Sequence, residues 1–416
     1  MAKVTRRNVL SSVAGSAAAA LCFGKTSVAR EPVPRRRVLF NWDGSMIHCW
    51  GRTVFPDTQQ TLTREQFVSL AFGPIENTGV DAVLFSFGSG NVAEYESRVL
   101  EWPGQADDFV FPESRTWHGG IEVDPQDQYR NPKSLADAGH NPPAVIVEEC
   151  HKRNIAAFVS LRMNDTHDGQ HARGTLPNPE LPTFKRQNAD WLVETLDRWT
   201  ALDFRQPRVR ALKLRIIQEY FDRWDFDGIE LDWLRHTMNF PRGEEQKGAG
   251  HLTDFMRQVR KMLDERAAAR GRAIELAVRI PERLAWCLLG GYDIPAWIDE
   301  DLCDSLILGQ GLTEHPALEE FRSLMKKRRL PIYPSLYCYG NGYRISPDEV
   351  IRGSAANLWQ AGADGLYTFN WFHHGPWRRQ LLNDIADQQR LSELSKQYTV
   401  THRFDVGRNV GTDYLR

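Results

Sequence analysis

Eight short apolar runs recur along the chain, each set apart from the next by a helical pattern or a polar loop. They are Arg37–Asp43, Asp81–Gly88, Ile155–Asn164, Ile229–Asp232, Ile274–Pro281, Asp304–Gly309, Ile332–Tyr337 and Gly365–Trp371. Apolar residues at helical spacing mark 63–78, 143–153, 207–224, 253–270, 347–361 and 376–396. Strand and helix in alternation predict parallel strands joined by crossover helices. Eight such units predict a closed (β/α)8 TIM barrel over 37–386, a single domain with long βα loops. The competing architecture, an open doubly wound sheet, buries both strand faces and needs nearly continuous aliphatic strands. Here the third run carries Ser160, Arg162 and Asn164 on one parity, and the fifth carries Glu275 and Arg279. Polar residues toward C-terminal strand ends fit a barrel whose rim holds a site. Residues 387–416 read as a helix end and an extended tail. Residues 91–140 read as a long irregular loop, with Trp102, Trp117 and His118 marking an ordered excursion over the site.

The first thirty residues are read as leader rather than fold. Thr5-Arg6-Arg7-Asn8-Val9-Leu10 precedes an Ala-rich run to Phe23 and then Ser27-Val28-Ala29. This is the form of a twin-arginine export signal over 1–30. The run is too short and too weakly apolar to span a membrane. The expected mature chain is periplasmic or extracellular, with no membrane span. The other reading is a chance arginine pair before a disordered leader. Five cysteines follow it, Cys49, Cys150, Cys287, Cys303 and Cys338, at irregular spacing and with no CxxC. That excludes zinc-finger and redox motifs and leaves buried thiols, or at most one disulfide. A net charge of -2, from 52 basic and 54 acidic residues, makes no electrostatic case for nucleic acid or an anionic membrane. Gly88-Ser89-Gly90-Asn91 lacks the spacing of a phosphate loop, and no cofactor is expected.

The chemistry concentrates in Phe226-Asp227-Gly228-Ile229-Glu230-Leu231-Asp232-Trp233-Leu234-Arg235-His236. Asp227-Gly228 is a turn signal. In a strand, Ile229 and Leu231 share one face, and Glu230 and Asp232 share the other. Two acids facing a barrel interior need partners, because unpaired buried charge is costly. Asp232 then stands at the C-terminal rim, with Glu230 one layer deeper. Other rim candidates are Asn41, Asp43, Arg162, Asn164, Asp165, His167, Trp233, Arg235, His236, Arg279, Glu282, Tyr337, Asn370 and His373. Carboxylates can act as nucleophile and general acid, Asn, Arg and Tyr can fix hydroxyls, and Trp can stack on a sugar face. Glycoside hydrolysis requires two carboxyl groups flanking an acetal.

The stretch from 207 to 240 resembles the fourth-strand region of glycosyl-hydrolase-like barrels, and among them the glycosyl-hydrolase-like 10 family. Arg162-Met163-Asn164-Asp165, Ala277-Val278-Arg279-Ile280-Pro281 and Ala361-Gly362-Ala363-Asp364-Gly365 add to the resemblance, which spans most of 37–375. Asp227-Gly228-Ile229-Glu230-Leu231-Asp232 with His236 is also similar to the alpha-amylase clan's fourth strand, where the Asp matching Asp232 is the nucleophile. That clan has an Arg two residues earlier; here the position is Glu230. The family-18 chitinase motif places its catalytic Glu where this chain has Leu234, so that mechanism is not expected.

The resemblance implies a carbohydrate-active enzyme, a glycoside hydrolase acting on an extracytoplasmic poly- or oligosaccharide. Asp232 is the expected nucleophile or base; the other reading is a structural Asp paired with Arg235 or Arg279. Glu230 is read mainly as an interior partner for Arg162 or Arg279. The second catalytic carboxyl is expected from Asp165 or Glu282. The remaining rim candidates are expected to bind substrate. A metal-dependent hydrolase is a further reading, because Asp165, His167, Asp168 and His171 cluster in sequence and His373-His374 end the last strand. Barrel metallohydrolases place His-x-His where this chain has Asn41-Trp42-Asp43, so no metal is expected. A non-catalytic glycan-binding barrel is the third alternative.

Overall fold

Each apolar run becomes a strand of one barrel. The computed structural model describes residues 33–49, 61–105, 115–117, 121–123, 126–169, 178–193, 199–309, 317–337, 346–371 and 376–398. The leader, His118, His171, Cys338, His373, His374 and the last eighteen residues, 399–416, lie outside them. The strands are β1 (Val38–Asp43), β2 (Val80–Ser86), β3 (Arg115–Trp117), β4 (Ile121–Val123), β5 (Ala156–Arg162), β6 (Gly228–Asp232), β7 (Glu275–Ile280), β8 (Ser305–Leu308), β9 (Ile332–Tyr337) and β10 (Leu366–Phe369). β1, β2 and β5–β10 pair in parallel and close a barrel in the order β1-β2-β5-β6-β7-β8-β9-β10. β3 and β4 form a separate antiparallel ribbon. The fold is therefore a closed (β/α)8 barrel.

Side-chain parity sorts the residues into two layers. Ile229 and Leu231 join the large apolar layer between strands and helices. Leu39, Leu84, Phe158, Ile307, Tyr367 and Phe369 pack against one another inside the barrel. Arg36 helps to close the N-terminal end. Its guanidinium donates to Glu275 at 2.8 Å and lies 5.1 Å from the centre of the Phe158 ring.

Gly228 opens β6 for a reason other than a turn. A Cβ there would lie 2.3 Å from the Phe158 ring and 2.7 Å from the Glu275 carbonyl. Only a bare backbone fits between those strands. Asp227 fastens the same point, accepting from the Ala157 backbone N–H at 2.8 Å and from Arg272 at 2.8 Å.

Two stretches hold more helix than periodicity predicts. The helix placed at Thr253 begins at Glu245 and runs to Arg270. Gly248 reads as a loop residue but is a packing contact, since a Cβ would meet the Phe240 ring at 2.3 Å. Gly271 ends the helix in the left-handed conformation, φ 71°. The stretch read as irregular over 91–140 holds the helix Asp127–Asp137, despite Pro132 inside it. The helices Pro142–Lys152, Pro207–Arg223, Asp348–Gln360 and Pro376–Ala386 lie where periodicity predicts. Cys150, Cys287 and Cys303 are buried free thiols. No helix among the described residues is long and apolar enough to cross a membrane.

Candidate active site

The barrel mouth carries a row of alternating charge. Arg162, Asp232 and Arg279 occupy one register level on adjacent strands β5, β6 and β7. Arg279 donates to Asp232 Oδ2 at 3.0 Å, and both residues are almost fully buried. Asp232 Oδ1 accepts the backbone N–H groups of Leu234 at 2.9 Å and Arg235 at 3.0 Å. The chain after β6 thus folds over its own carboxylate. Arg279 also lies 3.9 Å from the centre of the Phe369 ring and donates to the Gly309 carbonyl at 3.3 Å. Burial works against its charge, but the Asp232 carboxylate keeps its pKa above the ordinary arginine value.

One layer deeper, Glu230 has different partners from those expected. Sequence alone suggests Arg162 or Arg279 as its partner. Instead, Oε1 accepts from the Tyr367 hydroxyl at 2.9 Å and Oε2 from Asn41 Nδ2 at 3.3 Å. Asn41 Nδ2 also donates to Ser160 Oγ at 3.2 Å. Burial, with Asp232 nearby, pushes the Glu230 pKa up to about 7. Arg162 and Arg279 pair instead with the rim carboxylates Asp43, Asp165 and Asp232.

Arg162 bridges two acids. It donates to Asp43 Oδ2 at 2.7 Å and to Asp165 Oδ2 at 3.0 Å. Asp165 Oδ1 accepts from the His167 backbone N–H at 2.8 Å and meets His167 Nδ1 at 2.7 Å. Burial opposes this charge, but His167, Arg162 and His236 together hold the Asp165 carboxyl well below its usual range. Arg235 Nη2 donates to His167 Nε2 at 3.1 Å, which leaves Nδ1 to carry the ring proton toward Asp165. The His236 ring lies 5.0 Å from His167, and its Nδ1 accepts the Thr166 backbone N–H at 3.0 Å.

Asp165, His167 and His236 bring ligand atoms within 4.8 Å of one another, the spacing a metal ion needs. Their donor atoms are already engaged. His167 is bound at both ring nitrogens, His236 Nδ1 takes a backbone proton, and Arg162 holds Asp165. A cation would have to settle between two guanidinium groups, Arg162 and Arg235. The donor set fits a polar network better than a metal site.

Glu282 follows β7 at the rim and stands apart from these networks. Its Oε2 is buried with no hydrogen-bond partner among the described residues. Burial raises its pKa above the usual glutamate value, although Arg283 and Arg279 pull it down. The two expected second carboxyls thus differ: burial raises Glu282, while Asp165 is held low. Tyr337 at the end of β9 is partly exposed and packs 6.2 Å from Phe369. Asn370, just past β10, has φ 51°, a strained backbone for a non-glycine residue at a site edge.

Two expected substrate contacts have other employment. Asn164 accepts the Leu202 N–H at 2.8 Å and donates to the Leu202 and Met238 carbonyls, so it ties loops together. Trp233 is buried among Phe204, Phe255, Tyr292 and Trp297 and belongs to the core. Conversely, sequence reasoning missed Glu94, in the loop after β2. Its Oε1 accepts from Gln128 Nε2 at 2.8 Å. Burial, together with the Asp43 and Glu180 charges, pushes its pKa up to about 8. Tyr367 was also missed, although it shares a parity with Phe369 inside β10.

No family model and no curated protein matches the chain, so the glycosyl-hydrolase-like 10 resemblance finds no match there. Among solved structures, an alpha-L-fucosidase isoenzyme 2 from Paenibacillus thiaminolyticus is similar at 11% identity and a TM-score of 0.49, over 86% of this chain and 49% of its own. The chain thus spans about half the length of that relative. The PgaB (BpsB) glycoside hydrolase domain from Bordetella bronchiseptica is similar at 12% identity and a TM-score of 0.49, over 85% of this chain and 99% of its own. The catalytic domain of psychrophilic chitinase B from Arthrobacter TAD20 is similar at 12% identity and a TM-score of 0.46, over 88% of this chain and 97% of its own. At these values the likenesses carry no weight for substrate or residue roles.

Proposed function

We propose that the protein is a glycoside hydrolase whose barrel mouth cleaves an oligo- or polysaccharide with Asp232 and Glu282. The observation that carries this reading is the contrast between the mouth's carboxyl groups. Asp232 is the ion-pair partner of Arg279 at the end of β6, while Glu282 at the next strand end has its pKa raised by burial. Surroundings that differ in this way suit the two carboxyl groups to base and acid roles. In the proposed reaction the bond from the anomeric carbon to the leaving oxygen breaks. Glu282 gives that oxygen its proton. Asp232 faces the anomeric carbon as nucleophile or base, and water supplies the hydroxyl of the new reducing end. Arg279 holds Asp232 in place, and Asp43 with Arg162 provides hydroxyl contacts.

The test is turnover of a broad glycan panel by the purified mature chain and by Asp232→Asn, with folding checked by circular dichroism. Loss of turnover in the folded variant is expected. Equal turnover would remove Asp232 from the reaction.

A second reading is a glycan-binding barrel without catalysis. Asp232 favours it, being 2% exposed with both oxygens engaged. Binding without turnover on the same panel, unaltered in Asp232→Asn, would select that reading.

We place the protein outside the cytoplasm on the strength of Arg6-Arg7 and the apolar run behind it. Fractionation of cells carrying Arg6→Lys with Arg7→Lys tests this placement, and retention of that variant inside the cell is expected.

A further inference from the structure

We infer that the mouth takes a sugar bearing a negative charge, and that Arg235 is the group that binds it. The inference rests on the carbohydrate reading above and adds the class of substrate.

Among the described residues three guanidinium groups line the mouth, and two are neutralised where they stand. Arg162 has Asp43 and Asp165; Arg279 has Asp232. Arg235 is different. No carboxylate lies within ion-pair distance of it among the described residues. Its Nη2 donates to His167 Nε2 rather than to a carboxylate. Its Nε is buried with no acceptor among those residues. The Phe369 ring lies 5.8 Å from its guanidinium carbon. A cation removed from water without an anion is costly, and proteins keep one so placed when something arrives to pair with it.

Among the described residues no internal partner is left for it. The carboxylates whose charge reaches Arg235 are Asp165, Asp43 and Asp232, and each is already committed to another group. Arg162 adds a like charge nearby, which together with burial lowers the Arg235 pKa. An oxyanion here would meet the guanidinium fork of Arg235. The fork matches the two oxygens of a carboxylate, or of a sulfate ester, better than a sugar hydroxyl. The shared chemistry is a fixed negative oxyanion on the sugar, from a uronic acid or from a sulfated residue.

The test is calorimetric titration of the full mature chain. The probes are oligogalacturonate, oligomannuronate and chondroitin sulfate tetrasaccharide, each beside its carboxyl-reduced form, and the last also beside its desulfated form. We expect at least one charged member to bind about tenfold tighter or more than its neutral counterpart. The pair that shows the difference identifies carboxylate or sulfate. In Arg235→Gln the ratio should fall to near one, and in Arg235→Lys an intermediate preference should remain. Circular dichroism and melting of both variants establish that they fold. Three results overturn the inference: no charged oligosaccharide binds, charged and neutral forms bind alike, or Arg235→Gln keeps the preference. A fourth, turnover of a neutral glycan without charge preference, overturns it and leaves hydrolysis standing. Tight binding of a charged glycan, never cleaved, supports the anion site and removes hydrolysis.

Discussion

Glu94 makes the sharpest prediction about stability, because it is a buried carboxyl held by an amide. It is fully buried, and Gln128 donates to it at 2.8 Å. Its pKa rises from 4.5 to about 8, chiefly through burial, with Asp43 and Glu180 adding to the effect. The folded chain therefore keeps a proton that the unfolded chain gives up. Below about pH 4.5 both states are protonated, and the site costs nothing. As pH rises from there to about 8, the unfolded state binds fewer protons, so stability falls. The window is about 3.5 pH units wide, and at 1.36 kcal/mol per unit the full loss is at most about 5 kcal/mol. Glu94→Gln keeps the shape and an oxygen acceptor for Gln128 but has no proton to lose. Urea unfolding of both proteins between pH 4.5 and 8.5 tests this. The variant should gain on the wild type steadily with pH and exceed it by a few kcal/mol at pH 8.5. Parallel curves across that range would refute the reasoning and mean that Glu94 is ionised in the fold at low cost.

Arg279→Met removes one partner of a buried pair and leaves Asp232 uncompensated, so a loss of about 3–5 kcal/mol is expected from the shift in urea midpoint. Two backbone N–H groups remain on Asp232, which places the loss toward the lower end. Gly228→Ala drives a methyl group against the Glu275 carbonyl and the Phe158 ring, and should cost about 1–3 kcal/mol by the same measurement. In Asp165→Asn the low carboxyl pKa is lost. Its stabilisation is present above the unfolded carboxylate value, near pH 4, and disappears as pH falls below it. The variant should therefore lag the wild type at pH 7, and the gap should begin to narrow only as pH falls below about 4.

Much of this architecture was legible in the chain. Period-two parity within 155–164, 229–232 and 274–281 marked the strands, and the alternation with helices marked the barrel. Parity also placed Glu230 and Asp232 on one face at two depths, as observed. The misreadings have tertiary causes. Gly248 reads as loop until Phe240 is seen packed on it. Pro132 and nearby glycines hide the helix Asp127–Asp137. Charge pairing is decided across strands: nothing local says that Arg279 chooses Asp232, while Glu230 takes Tyr367 and Asn41. Glu94 follows a glycine-rich loop with no periodicity of its own, and only the fold buries it beside Asp43. Arg235 reads as one more rim arginine until its neighbours are found to be taken.

The central claim is that Glu282 gives the leaving oxygen its proton. It is tested most directly by kcat/KM of Glu282→Gln on a glycan the wild type cleaves, beside an aryl glycoside of the same sugar whose leaving group needs no proton. The account predicts a loss of about 10²–10⁴-fold on the natural linkage and a far smaller loss on the aryl glycoside. Equal losses on both substrates, or none on either, would contradict it.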